Sequence, residues 1–296
     1  MEREKGLGGA FVIFKFGNSM SSEPQQKKRK MESKMAITLT FGDQAENHVG
    51  MEKIGKMADD GFDLKDFMAA KEIFEAKGGE AELIDLRERS ENAGVKGSAK
   101  EAYVLILRGG VNVFLKESMW TADDCMEEQA SLEVDKKAFM YGRVVDKKAR
   151  HNLCFGDAAQ EPQYENGKGR IVAYSDVPIL NAVREAIPSY LGNKGESLVA
   201  EGNYYYDPEK CGIGFHGDAE RKRVVALRLG ASIPFHYQWF LNGKAVGKRV
   251  KLRLEHGDVY VMSEKATGFD WRKKLVHTLR HAAGCDAYLK IDGSLG

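Results

Sequence analysis

Cysteine and proline are scarce in this chain, which has four cysteines and six prolines in 296 residues. The cysteines lie far apart and form no CxxC pair, so neither a dense disulfide framework nor a zinc cluster is expected. No apolar run approaches the roughly 18 residues of a membrane span. A phosphate loop of the Walker type is also missing. These absences predict an intracellular protein with reduced thiols that does not enter the membrane.

Charge is nearly balanced overall, with 45 basic and 44 acidic side chains, but it is uneven along the chain. Residues 203–296 hold 16 Lys and Arg against 10 Asp and Glu. A basic C-terminal part suits a polyanionic partner, and an ordinary solvated surface is the alternative. Near the start, the run from Lys27 to Lys30 indicates a nuclear import signal or a nucleic-acid contact, although such runs also occur in tails that do neither.

Composition and periodicity divide the chain into three predicted regions. Residues 1–36 are polar and predict a disordered basic tail. Residues 37–136 alternate strand-like and helix-like segments and predict an N-terminal α/β domain of unknown role. Residues 137–296 contain many short strand-like segments separated by Gly, Asn and Asp, which is typical of a β-sandwich or a double-stranded β-helix. The predicted fold class is therefore α+β, with a jelly-roll core and an N-terminal α/β extension.

Three segments give specific local predictions. The stretch DLKDFMAAKEIFEAKGG predicts a helix that Asp63 caps and that the following glycines end. The stretch AYVLILRGGVNVFL predicts a β-hairpin with Gly109 and Gly110 in its turn. The stretch PILNAVREAIPSYLG predicts a helix whose last turn is disturbed by Pro188.

The stretch GFHGDAERK contains the most informative pair of side chains, His216 and Asp218. Residues i and i+2 of an extended segment lie on the same side, so both side chains can reach one ion. Fe(II) enzymes that activate O₂ often bind the metal through two His and one carboxylate. A second His is therefore expected further along the chain, and the strand-like segment VHTLRHAAG offers His277 and His281.

Five segments carry a wider resemblance when they are taken in order. They are YGRVVDKKARHNLCFGD, GNYYYDPEKCGIGFHGDAER, VVALRLGASIPFHY, LEHGDVYVM and HTLRHAAG. Over about residues 138–290 the chain resembles the Fe(II)/2-oxoglutarate-dependent dioxygenases, and within them the AlkB-like nucleic-acid oxygenases. The resemblance implies that residues 137–296 form an AlkB-like dioxygenase domain with Fe(II), 2-oxoglutarate and O₂ as cofactors.

The resemblance also implies a set of metal ligands. His216 and Asp218 match the first two iron ligands of the family, in its H-x-D-x-(D/E) motif. The segment RHAAGCDAYLK looks like the distal-His segment of the wider superfamily, where a His followed by small residues precedes a basic residue. His281 is accordingly the expected third ligand, and His277 is the alternative.

A 2-oxoglutarate site follows from the same resemblance. Asn203 and Tyr205 match the N-x-Y motif that contacts 2-oxoglutarate, with a neighbouring tyrosine of the NYYY run as the alternative to Tyr205. The two arginines that end the AlkB-like pattern are missing, so Lys290 is the first candidate to bind the distal carboxylate. Arg228 is its rival, because an arginine inside a barrel is costly unless it is paired with an anion. The alternative for Arg228 is a solvent-exposed strand face.

The substrate prediction depends on Glu220 and on the basic C-terminal part. The resemblance places an acidic residue at the position of Glu220 near the target base, and a surface salt bridge with Arg221 or Arg223 is the alternative. The implied reaction is hydroxylation of a C–H bond on a base of DNA or RNA, which for an N-methyl group ends in demethylation. The alternatives are a 2-oxoglutarate-dependent hydroxylase of protein side chains and a binding module whose metal site is inactive.

Overall fold

Sixteen strands and six α-helices build residues 34–291, the part of the chain that a computed structural model describes. The basic run from Lys27 to Lys30 and nearly all of the predicted tail lie outside the described residues. The strands are β1 Ala36–Gly42, β2 Gln44–Glu46, β3 Lys53–Gly55, β4 Glu80–Asp85, β5 Tyr103–Arg108, β6 Lys137–Met140, β7 Arg143–Asp146, β8 His151–Gly156, β9 Ile171–Ala173, β10 Val199–Tyr205, β11 Gly212–His216, β12 Val224–Gly230, β13 Phe235–Leu241, β14 Lys244–Leu252, β15 Val259–Met262 and β16 Thr278–Gly284. The helices are α1 Leu64–Ala76, α2 Ala93–Ser98, α3 Gly110–Phe114, α4 Ala122–Ala130, α5 Pro178–Ala186 and α6 Pro188–Leu191.

Two sheets dominate the described part of the chain. The large sheet has eight strands in the order β4-β5-β15-β12-β1-β10-β8-β9, and the small sheet has four in the order β11-β16-β13-β14. All neighbours in both sheets are antiparallel except β8 and β9, which run parallel. Two further ribbons pair β2 with β3 and β6 with β7. The α+β class predicted from the sequence is confirmed, with a large and mainly antiparallel sheet.

The two faces of the large sheet are buried in different ways. One apolar cluster contains residues of the large sheet together with residues of the small sheet, so the two sheets face each other across it. A second cluster contains the other face of the large sheet and side chains of α1, α3, α4, α5 and α6, so helices cover that face. Alternation along β12 assigns Leu227 and Leu229 to the helix side and Ala226 to the small-sheet side. Arg228 therefore points into the space between the two sheets.

The helix predictions for two segments are confirmed. The Asp63 side chain accepts hydrogen bonds from the backbone N–H groups of Lys65 and Asp66, and the Asp66 side chain accepts one from the N–H of Asp63. This reciprocal capping box fixes the start of α1. The segment that begins at Pro178 divides into α5 and α6 at Pro188, as a proline with no N–H donor requires. No helix within residues 34–291 is both long and apolar enough to cross a membrane.

The predicted hairpin at residues 102–115 is wrong. β5 pairs with β4 and β15 rather than with its own continuation, and the chain after it turns into α3. Gly109 adopts the left-handed conformation (φ 58°), and the Asp258 carboxylate accepts a hydrogen bond from its N–H at 2.9 Å. In α3, the side chains of Val111 and Phe114 are buried in the core between the helices and the large sheet. Tertiary packing therefore overrides the turn signal of the Gly-Gly pair.

The predicted boundary between residues 136 and 137 does not separate two compact units. The described residues 34–291 group as one unit, and strands from both sides of that boundary share the large sheet. β1 lies between β10 and β12, with Thr38 opposite both Asn203 and Arg228. β5 lies beside β15 and carries β4 at the edge. The segment 37–136 is thus an integral part of the same sheet and core.

Candidate metal centre

Two neighbouring strands of the small sheet bring the predicted ligands together. β11 ends at His216, and antiparallel pairing places this residue directly opposite His281 of β16. Directly opposed residues point to the same face of a sheet, which here is the face toward the large sheet. The chain continues through Gly217, where a Cβ atom would lie only 2.2 Å from the carbonyl oxygen of Gly268. Glycine is therefore required between the His and the Asp of this motif.

Asp218 completes a cluster of three potential ligands. Its Oδ1 lies 3.5 Å from Nε2 of His216 and 3.6 Å from Nε2 of His281. All three ligand atoms lie within 4.8 Å of one another. The backbone N–H of Asp218 donates to the carbonyl oxygen of Thr267 at 2.9 Å, which anchors the loop that carries it. Nitrogen and oxygen ligands bind zinc and similar divalent ions at about 2.0–2.2 Å, so three atoms at this spacing fit around one ion.

His277 lies outside this cluster. Its Nδ1 is 3.2 Å from the hydroxyl of Ser98, and its ring packs edge-on against Trp239 with centroids 6.4 Å apart. The two histidines are four positions apart on or beside β16, and only His281 is opposed to His216 in the sheet register. Of the two alternatives, the structure therefore brings His281 to the site.

At His216 and Asp218 the electrostatic surroundings favour the protonation states that a metal requires. Burial, and next the neighbouring His281, lower the pKa of His216 to about 3, so its imidazole is neutral at physiological pH. The carbonyl oxygen of Gly214 lies 2.8 Å from Nδ1 of His216, which leaves Nε2 to face the cluster. Burial acts to raise the pKa of Asp218, but Arg221 and His281 outweigh it and keep that pKa below its usual range. Neutral imidazoles and an ionised carboxylate are the ligand forms that bind divalent metals.

A cavity of about 790 Å³ opens between the sheets beside the three ligands. It reaches from the cluster to the interior face of β12, and the loop from Glu46 to Lys53 forms part of its wall. The cavity also receives most of the cofactor and substrate residues that the sequence predicts: Asn203, Tyr205, Glu220 and Arg228.

Arg228 is the least satisfied polar side chain of this cavity. It is 0% exposed, and its Nε, NH1 and NH2 have no hydrogen-bond partner among the residues that the structure describes. The hydroxyl of Thr38, which is opposite Arg228 in the sheet register, is also buried without a partner. The solvent-exposed alternative for Arg228 is therefore wrong. Since a buried unpaired guanidinium is costly, this end of the cavity fits an anion such as a carboxylate.

Asn203 and Tyr205 line the same cavity. Asn203 lies in one row with Thr38 and Arg228 across three adjacent strands, β10, β1 and β12. Its side-chain oxygen accepts hydrogen bonds from Arg150 and Asn152, so the amide orientation is fixed.

The other two tyrosines of the NYYY run point elsewhere. The hydroxyl of Tyr204 lies 2.9 Å from the side-chain oxygen of Gln129 in the opposite core, and the exposed Tyr206 donates to the backbone of Lys148. Tyr205 is thus the tyrosine of the run that reaches the cavity.

Lys290 is exposed and does not line the cavity. It follows β16 in a turn, and β16 belongs to the small sheet. The place in the large sheet between β10 and β12 is filled by β1, which comes from the beginning of the described chain. Within residues 34–291 no strand after His281 enters the large sheet, so Lys290 is not brought to the Arg228 end of the cavity.

Glu220 takes part in a buried ion-pair network and also lines the cavity. Its Oε1 accepts hydrogen bonds from Arg221 at 2.6 and 3.0 Å, so the salt bridge with Arg221 forms, but it is buried rather than at the surface as the alternative supposed. Arg221 is 3% exposed and also donates to Glu201 at 2.6 Å, while its Nε lies 3.7 Å from Asp218. Burial raises the pKa of Glu220. Arg221 was not predicted as a support of the site, because it lies in an RKR run, which is typical of a solvent-exposed surface.

Thr38 was missed for a different reason. It belongs to the alternating segment ITLTF, in which the two threonines share one face of β1. This alternation predicts a polar strand face, but it does not show which cavity the face lines.

The fold and the site together define a class: an α+β protein with two facing sheets and a candidate His-Asp-His metal centre in the cavity between them. No protein-family model matches the sequence. The chain is 47% identical over 259 residues to the uncharacterized protein R156 of Acanthamoeba polyphaga mimivirus, and the match covers 88% of this chain and 99% of the viral protein. The chain therefore belongs to the same family as R156.

Proposed function

We propose that the chain is an Fe(II)- and 2-oxoglutarate-dependent dioxygenase with a double-stranded β-helix core. The observation that carries this proposal is that His216, Asp218 and His281 share one cavity with the buried and unpaired Arg228. Two His and one carboxylate on one side of a metal, with positions left open, are typical of non-haem Fe(II) oxygenases. An anion site in the same cavity is what an anionic cosubstrate requires.

The arrangement of the sheets supports the jelly-roll part of the proposal. The four central strands of the large sheet, β15-β12-β1-β10, share an apolar core with the four strands of the small sheet. A jelly roll likewise has eight strands in two facing antiparallel sheets. β1 supplies the eighth strand from the N-terminal side, and this explains why a strand after β16 is not needed.

The residues have separate tasks in this proposal. Nε2 of His216, the carboxylate of Asp218 and Nε2 of His281 would hold the iron, and Arg228 with the Thr38 hydroxyl would bind the distal carboxylate of 2-oxoglutarate. With 2-oxoglutarate and O₂, the bound iron supplies the oxidant for hydroxylation of a C–H bond.

The surrounding side chains keep this site in order. Arg221 forms ion pairs with Glu201 and Glu220, and it also lies close enough to Asp218 to keep that carboxylate ionised. Phe235, with Tyr260 and Met262 beside it, provides an apolar wall of the cavity that limits access of water.

The proposed substrate is a base of DNA or RNA. Glu220 lies in the cavity, and among residues 34–291 no hydrogen bond reaches its Oε2, which leaves this atom to accept one from an exocyclic amine. An enzyme that acts on a base needs the nucleotide in a single strand or extruded from the duplex. The cavity volume of about 790 Å³ lies in the range of small-molecule sites, so a flipped base fits beside a cosubstrate.

A turnover assay tests the proposal. The purified protein is incubated with Fe(II) and 2-oxoglutarate, together with methylated single-stranded DNA and RNA oligonucleotides or with peptides. Succinate and the substrate masses are then measured. We expect succinate that depends on iron and on His281, and an oligonucleotide that gains one oxygen or loses a methyl group. Turnover of a peptide with no turnover of any oligonucleotide would show that the substrate is a protein side chain and not a base. A lack of succinate under all conditions would refute the proposed enzymatic function.

A further inference from the structure

The outer face of the small sheet, which points away from the core, carries arginines stacked on aromatic rings. The Arg280 guanidinium carbon lies 4.0 Å from the ring centroid of Phe240 and 5.1 Å from that of Trp271. Arg249 lies 5.1 Å from the Phe215 ring, and the Phe215 and Phe240 rings meet at 6.4 Å. We call this the arginine–aromatic surface, formed by Phe215, Arg249, Trp271, Arg272 and Arg280 above the buried ring of Phe240.

Strand alternation connects this surface to the metal centre. Phe215 precedes His216 on β11, and Arg280 precedes His281 on β16. Because successive side chains point to opposite faces of a sheet, the two ligands face the cavity while their neighbours face outward. Trp271 belongs to the surface and also lines the cavity, as does Arg272. The surface therefore extends to the edge of the cavity.

The positive charge of this surface is not neutralised. Arg249, Arg272 and Arg280 have no carboxylate within salt-bridge distance among residues 34–291. By contrast, Arg184 on α5 also stacks on an aromatic ring, that of Tyr174, but it is paired with Asp157 at 2.8 Å. Three exposed lysines, Lys251, Lys273 and Lys274, add to the unpaired positive charge on β14 and after Trp271.

We propose that the arginine–aromatic surface binds the backbone and bases of a single-stranded nucleic acid and leads one nucleotide into the cavity. A guanidinium stacked on a ring keeps its N–H edge free for bidentate contacts with phosphate. Aromatic rings and guanidinium planes also stack with unpaired bases, and this contact tolerates any sequence. An acidic peptide would neutralise the arginine charges, but it has no bases to stack on the aromatic rings and guanidinium planes. A nucleic acid is therefore the better fit. The inference rests on the proposed nucleic-acid substrate and adds the surface that holds it.

Binding is tested without iron and without 2-oxoglutarate, so that the result does not depend on catalysis. Fluorescence anisotropy with a labelled single-stranded RNA and a single-stranded DNA of the same sequence measures the affinity. The test variant is Arg249→Gln with Arg272→Gln, which removes two charges from exposed or half-buried positions. The matched control is Arg184→Gln, which removes a ring-stacked arginine that already has a carboxylate partner. Thermal unfolding of each variant checks that the fold is kept.

We expect the double variant to lose at least about 10-fold in affinity and the control to bind like the wild type. The slope of log affinity against log salt concentration should become shallower by about 1.4, which is about 0.7 for each lost phosphate contact with a single strand. Equal binding by the double variant and the wild type, or tighter binding of a poly-glutamate peptide than of either oligonucleotide, would overturn the inference. If the wild type binds the oligonucleotides as expected but forms no succinate, the nucleic-acid-binding surface is supported and the proposed dioxygenase activity is refuted.

Discussion

His216 and His281 lie directly opposite each other on β11 and β16, with ring centroids 4.5 Å apart. The chain between them contains β12, β13, β14 and β15, four of the eight strands of the two-sheet core. The pair is therefore a long-range contact that exists only when the register of the small sheet is correct. A slip of one residue would turn His281 to the outer face and put Arg280 in its place. The carboxylate of Asp218 lies within 3.6 Å of both imidazoles, and its loop is anchored to Thr267.

Substitution of His281 is expected to abolish metal binding, and substitution of His277 is not. His281→Ala removes one of three converging ligands, whereas His277 contacts Ser98 and Trp239 outside the cluster. Even partners in the second shell of metal sites cost 10–100-fold in affinity, so loss of a ligand should cost at least about 100-fold. Titration calorimetry with Mn(II) or Co(II) on the metal-free protein measures this. If His277→Ala loses the metal and His281→Ala keeps it, His277 and not His281 would be the third ligand.

Arg228→Met is expected to weaken the binding of 2-oxoglutarate while leaving the protein at least as stable. Hydrogen bonds to charged groups contribute about 1.5–3 kcal/mol, so the KM for 2-oxoglutarate should rise by roughly 10–100-fold. The free energy of unfolding should stay equal or increase, because the substitution removes a buried charge that has no partner among the described residues.

Lys290→Met is the matched control for Arg228→Met, since Lys290 was the first candidate for the same task. Lys290 is exposed and away from the cavity, so its substitution should leave the KM for 2-oxoglutarate within about twofold of the wild type. Succinate formation at varied 2-oxoglutarate concentrations gives both values. A large increase of KM in Lys290→Met alone would show that the distal carboxylate lies elsewhere.

The local parts of the site were predictable from the sequence because short-range rules decide them. The spacing of two residues put His216 and Asp218 on one side of an extended segment. Alternation along β12 put Arg228 on the same face as Ala226, while the choice between an interior and a solvent-exposed face needed the structure. The cap of α1 and the break at Pro188 follow from the same kind of local chemistry. Each of these features depends on neighbours a few positions away in the chain.

The remaining features depend on which segments meet in space. The segment ITLTF was predictable as a strand, but nothing in it indicates that it pairs with β10 and β12 more than 150 residues away. The prediction that a basic residue after His281 would bind the cosubstrate was based on sequence spacing alone, which does not show which strand lies beside β12. In the described chain β1 takes that place, so strands from both sides of residue 136 share the large sheet.

A fragment of residues 137–296 is expected not to fold alone. Removal of β1 separates β10 from β12, and removal of β5 leaves β15 as an open edge. The fragment also loses Ile37, Leu39 and Phe41, which are fully buried under the helices. We expect a fragment without a cooperative thermal transition by circular dichroism, compared with residues 34–291 as the positive control. A cooperative transition with dispersed amide signals in the fragment would show that 137–296 is a domain after all.

Lys147 should make the stability of the protein depend on pH in the alkaline range. Its buried ammonium donates to the side-chain oxygen of Asn47 at 2.6 Å, and the Asn47 amide donates to Asp135 at 2.7 Å. Burial lowers the pKa of Lys147 to about 8, although Asp135 acts in the opposite direction. The unfolded chain keeps its proton up to a pKa of about 10.4, so between these values the unfolded state binds more protons.

The free energy of unfolding contributed by Lys147 should therefore rise as the pH increases from about 8 to about 10.5. Lys147→Met removes this titration. The free energy of unfolding of the variant, relative to that of the wild type, should therefore be highest near pH 7 and should decrease by up to about 3 kcal/mol at pH 10. Urea unfolding of both proteins at several pH values between 7 and 10 measures the difference, in which the titration of other groups cancels. The exposed Lys244→Met serves as the control and should show a constant difference from the wild type. A difference for Lys147→Met that also stays constant across this range would mean that the buried amine keeps its ordinary pKa through the network of Asn47 and Asp135.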